Sequence, residues 1–468
     1  MPNPKVLLRA PAEPERRAAA FMTGRYLMTI HPDAHDEISA KLDETGIKQA
    51  LPIPHAAAAK ALPDGMFIPL KGIGVSLVDP TDAQEDKLHG LAAREDGVLA
   101  LEPERIARAV GGTPDYVRGW RDAVDAMSGK LLEQTAPPAV AMAAAEVAAT
   151  ATWGLIATNV LNSSLSGQGI RIAILDTGLD LSHPDFAGRQ IETKNFVGDN
   201  TPFHDGMGHG THCTGTAAGP LHPTQGVRYG IAYEAQIFSG RVLDDSGHGG
   251  DFNVLQGISW AIEQKCDIIS LSLVEPWMPT DPPFNSAYEA AAQQALQAGC
   301  LLVVAAGNEA DNPIYTGAVG IPGNSPSVLT VAAVDQTMAT ASFSDRVEPA
   351  APAVKGPDLA GPGVDVYSSW LVSAGRYNTI SGTSMATPHV AGIAALFAQA
   401  NPGTRGQALK DMVIRNCLAL ANGAARQGEI GRGLVQALGN APAVAQIVTS
   451  RAASTAVRAP RRPRKPAT

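Results

Sequence analysis

The sequence predicts an α/β protein: a doubly wound, mostly parallel sheet with helices on both faces, preceded by a small α+β unit. Three observations carry this. From residue 153 onward, near-continuous apolar runs alternate with helical stretches, the pattern of parallel strands buried on both faces. Ahead of them, residues 25–110 read in the order strand, helix, strand, strand, helix, strand. Apolar residues make up 45% of the 468, enough for a large core in two or three domains.

Residues 1–24 are rich in Pro, Ala and Arg and read as a flexible arm. The stretch 25–30 (Arg-Tyr-Leu-Met-Thr-Ile) is the first strand. A helix follows over 33–45, with Ile38 and Leu42 inward and Gly46 as its stop. Strands over 66–70 and 74–78, a helix over 82–94 and a strand over 97–103 complete the unit. Residues 111–152 read as a linker with a helix over 115–132, where Val117, Trp120, Val124, Met127 and Leu131 fall at helical spacing. The main domain spans 153–447. Its expected strands include 171–176, 236–242, 267–273, 300–306 and 328–334, with helices over 253–265 and 286–298 between them. Residues 448–468 form a basic, Pro-rich tail, expected to be disordered.

Composition excludes several classes. The net charge of −9 argues against nucleic-acid binding by the body of the protein. The weakly apolar segment 139–161 contains Glu146 and Asn159 and is not read as a membrane span. Residues 1–13 hold no apolar run of signal-peptide length, so the default is a soluble, cytoplasmic chain, with secretion by a non-standard route left open. Cys213, Cys266, Cys300 and Cys417 form no C-x-x-C pair and leave both disulfides and free thiols open.

Four stretches could carry chemistry. Asp176 stands where an apolar strand stops, a costly position for a carboxylate unless it is hydrogen-bonded; its structural role would be a turn. His209 lies between glycines at the start of a helix. With His212 and Cys213 it also suggests zinc, but no further ligand follows at matching spacing, His204 and His248 being distant candidates. Asn308, after the buried run 301–306, is either a turn residue or an amide donor to an oxyanion. Ser384 sits at a helix start in Gly382-Thr383-Ser384-Met385, beside unpaired N–H groups and the positive end of the dipole. There it either caps the helix or acts as a nucleophile. Together these supply a carboxylate, an imidazole, an amide and a hydroxyl to one α/β domain.

Asp176-Thr177-Gly178, His209-Gly210-Thr211-His212, Ala306-Gly307-Asn308 and Gly382-Thr383-Ser384-Met385-Ala386-Thr387-Pro388 resemble the motifs of the subtilisin-like serine proteases, in that family's order. The resemblance covers residues 153–445. Cys213 after His212 resembles the proteinase K and kexin branches. The resemblance implies a serine endopeptidase acting on protein or peptide substrates. Ser384 would be the nucleophile, His209 the general base, Asp176 its orienter and Asn308 an oxyanion donor. Ser272, Leu273 and Val274 match one wall of the substrate pocket, and Ala305, Ala306 and Gly307 the other. Val274 replaces a usual Gly, and the insertion over 275–283 should rim the cleft, so a restricted cleavage preference is expected. The unit at 25–110 resembles the family's ferredoxin-like propeptide, an intramolecular inhibitor, with self-cleavage expected between 105 and 152. No cofactor is required. Calcium is not supported at Asp185, because the companion loop 220–226 offers few side-chain oxygens. Two other functions stay in view: a catalytically silent binding protein on the same fold, and a metal-dependent hydrolase using His209, His212 and Cys213.

Overall fold

The computed structural model describes residues 6–7, 22–50, 62–109, 150–198 and 201–439. The expected helix over 115–132, almost all of the linker and the basic tail lie outside them.

The N-terminal unit comprises β1 (Met22–Ile30), α1 (His35–Thr45), β2 (Met66–Leu70), β3 (Val75–Asp79), α2 (Asp82–Arg94) and β4 (Val98–Ala109). β1 is central, antiparallel to β3 and β4. Val6–Leu7 adds a short parallel edge to β4, so the arm contributes backbone to this sheet. α1 ends at left-handed Gly46, which returns an N–H to Leu42 and Asp43 carbonyls. Ile38, Leu42, Leu88 and Leu91 cover one sheet face. The expected element order holds. The last strand, however, does not stop at Pro103 but runs on to Ala109.

In the main domain, β5 (Arg171–Asp176), β6 (Ile191–Asn195), α3 (His209–Ala218), β7 (Gln236–Arg241), β8 (His248–Gly250), α4 (Asp251–Glu263), β9 (Ile268–Leu271), β10 (Leu273–Val274), α5 (Ser286–Gln297), β11 (Leu301–Ala305), β12 (Leu329–Val334), β13 (Leu359–Pro362) and α6 (Thr383–Ala400) carry the argument. Seven strands form one parallel sheet in the order β13-β12-β11-β9-β5-β7-β6. One face packs on α3 and α6, the other on α4 and α5. α6 is buried on every side through Ala398, as a helix apolar all round must be.

The two units share a core. Leu27, Val75, Leu77 and Ala107 pack in one cluster with Phe252, Leu255 and Ala291 of α4 and α5. Two carboxylates of β4 meet two helix starts: Glu104 Oε1 accepts from the Phe252 N–H (3.2 Å), and Glu102 Oε2 from the Ser286 N–H (2.9 Å). Those N–H groups have no partner within their own helices, and the dipole favours negative charge there.

Candidate active site

Asp176 ends β5 at the carboxyl edge of the parallel sheet, where open α/β sheets collect their sites. His209 opens α3, and Ser384 is the second residue of α6. The backbones converge because glycine permits it. A Cβ at Gly210 would sit 2.2 Å from the Gly178 carbonyl oxygen, so α3 could not start this close to the turn after β5.

Asp176 Oδ1 accepts from His209 Nδ1 at 2.7 Å and from the Thr177 N–H at 2.7 Å. Both side chains are fully buried. Burial disfavours the imidazolium, but the Asp176 carboxylate outweighs it and holds His209 well above its ordinary value. In the neutral ring this contact fixes the tautomer: Nδ1 carries the proton, leaving Nε2 as the acceptor. Nε2 is buried without a hydrogen-bond partner. Ser384 Oγ donates instead to the Ser272 carbonyl at 2.9 Å.

The sequence explains the setting of Ser384. Pro388, four residues on, has no N–H to give to the Ser384 carbonyl. That carbonyl accepts from Ser272 Oγ (2.8 Å) and the Cys213 thiol (3.6 Å). α6 is thereby tied to the end of β9 and to α3. Asn308 Oδ1 accepts from the Thr383 N–H (2.9 Å) and Thr383 Oγ1 (2.8 Å). Its NH₂ end is left as the remaining donor.

The pocket residues divide as follows. Ser272 touches Ser384 directly. Leu273 and Val274 form β10, and Val274 packs against Ala305. Ala306 packs against Trp277 and Val319. Gly307 adopts φ 118°, and its N–H donates to Thr383 Oγ1 at 3.2 Å. The insertion over 275–283 does not stand free: Glu275 pairs with Ile321, and Trp277 is buried.

His212 does not join His209 as a ligand. Its Nε2 meets the Val366 carbonyl at 2.9 Å, and burial pushes it down to about 3. Asp176, His209 and Cys213 do lie close enough to hold an ion, but the first two already bond each other. Cys213 is fully buried, and burial raises its pKa, so it lacks the accessible thiolate that reactivity needs. All four cysteines are free thiols. Asp185 is fully engaged: Oδ1 accepts from the Thr224 N–H (2.7 Å), and Oδ2 from Tyr229 (2.6 Å) and Tyr377 (3.0 Å).

Two positioning residues went unread in the sequence. Asp205 accepts from the N–H groups of Gly208 (2.7 Å) and Thr211 (2.9 Å), capping α3 at His209. Asp345 accepts from the Glu309 N–H (2.7 Å) and gives its own N–H to the Gly307 carbonyl (3.0 Å). The aspartate just ahead of a glycine-rich helix start was a usable capping signal at 205. Nothing local marked Asp345, which lies 36 residues from the loop it holds.

A buried Asp–His pair and a helix-start serine, both reached by the Cys213 thiol at the edge of a parallel sheet, define a serine-hydrolase class of site. Comparison with known proteins makes this specific. Residues 167–440 match the model of the Subtilase family, and the chain belongs to that family. It is a subtilisin-like serine endopeptidase. An intracellular serine protease of Paenibacillus polymyxa is 40% identical over 237 residues, covering 50% of this chain and 68% of the relative. A thermostable alkaline protease of Halalkalibacterium halodurans is 37% identical over 298 residues, covering 62% and 73%. Subtilisin E of Bacillus subtilis is 35% identical over 258 residues, covering 55% and 62%. Among solved structures, a cold-adapted subtilisin-like serine proteinase aligns with TM-score 0.50 at 30% identity, covering 62% of this chain and 99% of that one. Among the described residues, no helix is long and apolar enough to cross a membrane.

Proposed function

We propose that the peptidase works through an acyl-enzyme with Asp176, His209 and Ser384 as its triad, and is made as a zymogen that cuts itself. The observation that carries the triad is the His209 Nε2, buried, unpartnered and fixed in its acceptor tautomer by Asp176. Rotation of the Ser384 side chain away from the Ser272 carbonyl would engage it. Catalytic hydrogen bonds commonly form only once substrate is bound. Ser384 Oγ then bonds to the scissile carbonyl carbon as its proton passes to Nε2. The C–N bond breaks, and Nε2 returns the proton to the leaving amine. Water repeats the sequence on the acyl-enzyme. The Asn308 NH₂ and the Ser384 N–H hold the oxyanion. No metal enters. The Asp185 corner, where relatives would hold calcium, is read as metal-free because hydrogen-bond donors already occupy its oxygens.

The zymogen reading rests on the register of β4. This strand lies antiparallel between β8 and β10, with Arg108 opposite Val274 and Ala109 opposite Leu273. Continued by one residue, that register would set position 110 opposite Ser272, whose carbonyl accepts from Ser384 Oγ. We therefore assign the self-cleaved bond to the one between positions 110 and 111, which lie outside the described residues. Until release, β4 blocks the groove in the manner of a bound peptide.

A fluorophosphonate probe tests the chemistry. It should label wild-type protein and not Ser384→Ala. Labelling that survives in Ser384→Ala, or hydrolysis abolished by a chelator, would overturn the triad.

A further inference from the structure

The backbone pairing of β4 with β8 and β10 is independent of side-chain identity, so it holds any extended peptide alike. Selection must come from side-chain pockets. Two cationic side chains of β4 are seated in acidic ones. Arg105 is only 9% exposed at its side chain, and its guanidinium makes a two-pronged contact with Asp281: 2.9 Å to Oδ2 and 2.7 Å to Oδ1. Its Nε lies 3.8 Å from Glu275. Glu275 Oε1 is buried in the same place with no hydrogen-bond partner. Three positions on, Arg108 pairs with Glu309 and lies over the Tyr315 ring, 5.9 Å from its centroid.

The Arg105 pocket is preformed by the main domain. Asp281 Oδ2 also accepts from the Met278 N–H (2.9 Å), and the Trp277 indole donates to the Pro282 carbonyl (2.9 Å). Glu275 is tied to Ile321 on both backbone groups. The loop that holds the guanidinium is therefore braced by bonds that do not involve β4. Burial raises Glu275 well above its ordinary value, and the neighbouring Asp251 adds to this. The Arg105 cation opposes that shift and favours the ionised form of Glu275.

We propose that this pocket is a specificity site of the mature peptidase, selecting substrates with arginine six residues before the scissile bond. Glu309 and Tyr315 favour a second basic residue three before it. The inference rests on the zymogen reading above, which supplies the register: counting back from the bond after position 110, Arg108 is third and Arg105 sixth. The forked geometry of Asp281 suits arginine over lysine, which offers a point charge. The preferred substrates are thus extended basic segments, dissimilar to the acidic chain that cleaves them.

The test uses matured wild-type protein and two peptides differing only by Arg or Gln at the sixth position before the cut. A charge-assisted, desolvated contact should give the arginine peptide at least about tenfold higher kcat/KM. In Asp281→Asn that ratio should collapse towards one. Should that variant not mature, the wild-type ratio still decides. Fluorophosphonate labelling with equal cleavage of both peptides would overturn this proposal alone. Failure to label and to cleave either peptide would overturn the peptidase reading with it.

Discussion

Asn308 serves as an oxyanion donor only if its amide cannot turn over, and Thr383 prevents that. Two donors from Thr383, backbone and hydroxyl, are fixed on Oδ1, so the NH₂ end must face elsewhere. Asp345 braces the same loop from the far side, and Gly307 cannot be replaced there: a Cβ would lie 2.0 Å from Asp345 Oδ2, at a φ of 118°. In the proposed mechanism, Asn308→Ala should lower kcat by about 10²–10³-fold with KM nearly unchanged, a loss of about 3–4 kcal/mol in the transition state. Thr383→Val keeps the amide but frees it from one of its two tethers, so about a tenfold loss in kcat is expected. Steady-state kinetics on one peptide checks both. A fall in the Asn308 variant confined to KM would place that residue in substrate binding alone. Asp176, His209, Asn308 and Ser384 were legible because each stands at an element's end beside a small-residue turn, and their motifs are long. Nothing in the quoted motif marked the bond from Thr383 to Asn308, since that partner is 75 residues away.

β4 is the element the sequence under-reads. Its second half, 102–109, mixes charged with small or apolar residues without strict alternation, and Pro103 interrupts it. Nothing local promises a strand. It extends because its polar groups are completed by the other unit: Glu102 and Glu104 by two helix starts, Arg105 by the 275–281 loop, the Arg105 N–H by Asp251 Oδ2 (2.9 Å). Those satisfactions are long-range and invisible to periodicity. They also make the docked state depend on pH. Burial lifts Glu102 from its ordinary 4.5 to about 7, and burial likewise raises Glu104 and Asp251. A group raised in the docked state binds protons more readily there than when released. Its contribution to docking is complete below the ordinary value and is lost as pH climbs through the docked one. For Glu102 that window runs from 4.5 to about 7. Size-exclusion chromatography of self-cleaved protein should therefore show the N-terminal unit retained near pH 5 and increasingly released by pH 8. Retention that strengthens with rising pH would contradict the assignment.

At the scale of the molecule, the parallel sheet was the most readable feature. Runs such as Ile172–Leu175 and Leu301–Ala305 are apolar on both faces, which only a sheet covered twice accommodates. The carboxyl-edge rule then located the site before any side chain was placed. What the pattern could not convey is the docking of the two units into one core, since Leu27 and Val75 lie in strands of what reads as a separate small domain, and Ala107 lies beyond its last expected strand. The molecule is built around a strand that enters its own groove and ends where Ser384 waits. The most direct measurement is intact mass and N-terminal sequencing of wild type beside Ser384→Ala, both expressed at full length. Wild type should be cut with its new N-terminus at residue 111, and the Ser384→Ala chain should remain uncut. Identical products from the two, or a wild-type cut elsewhere in the chain, would contradict this.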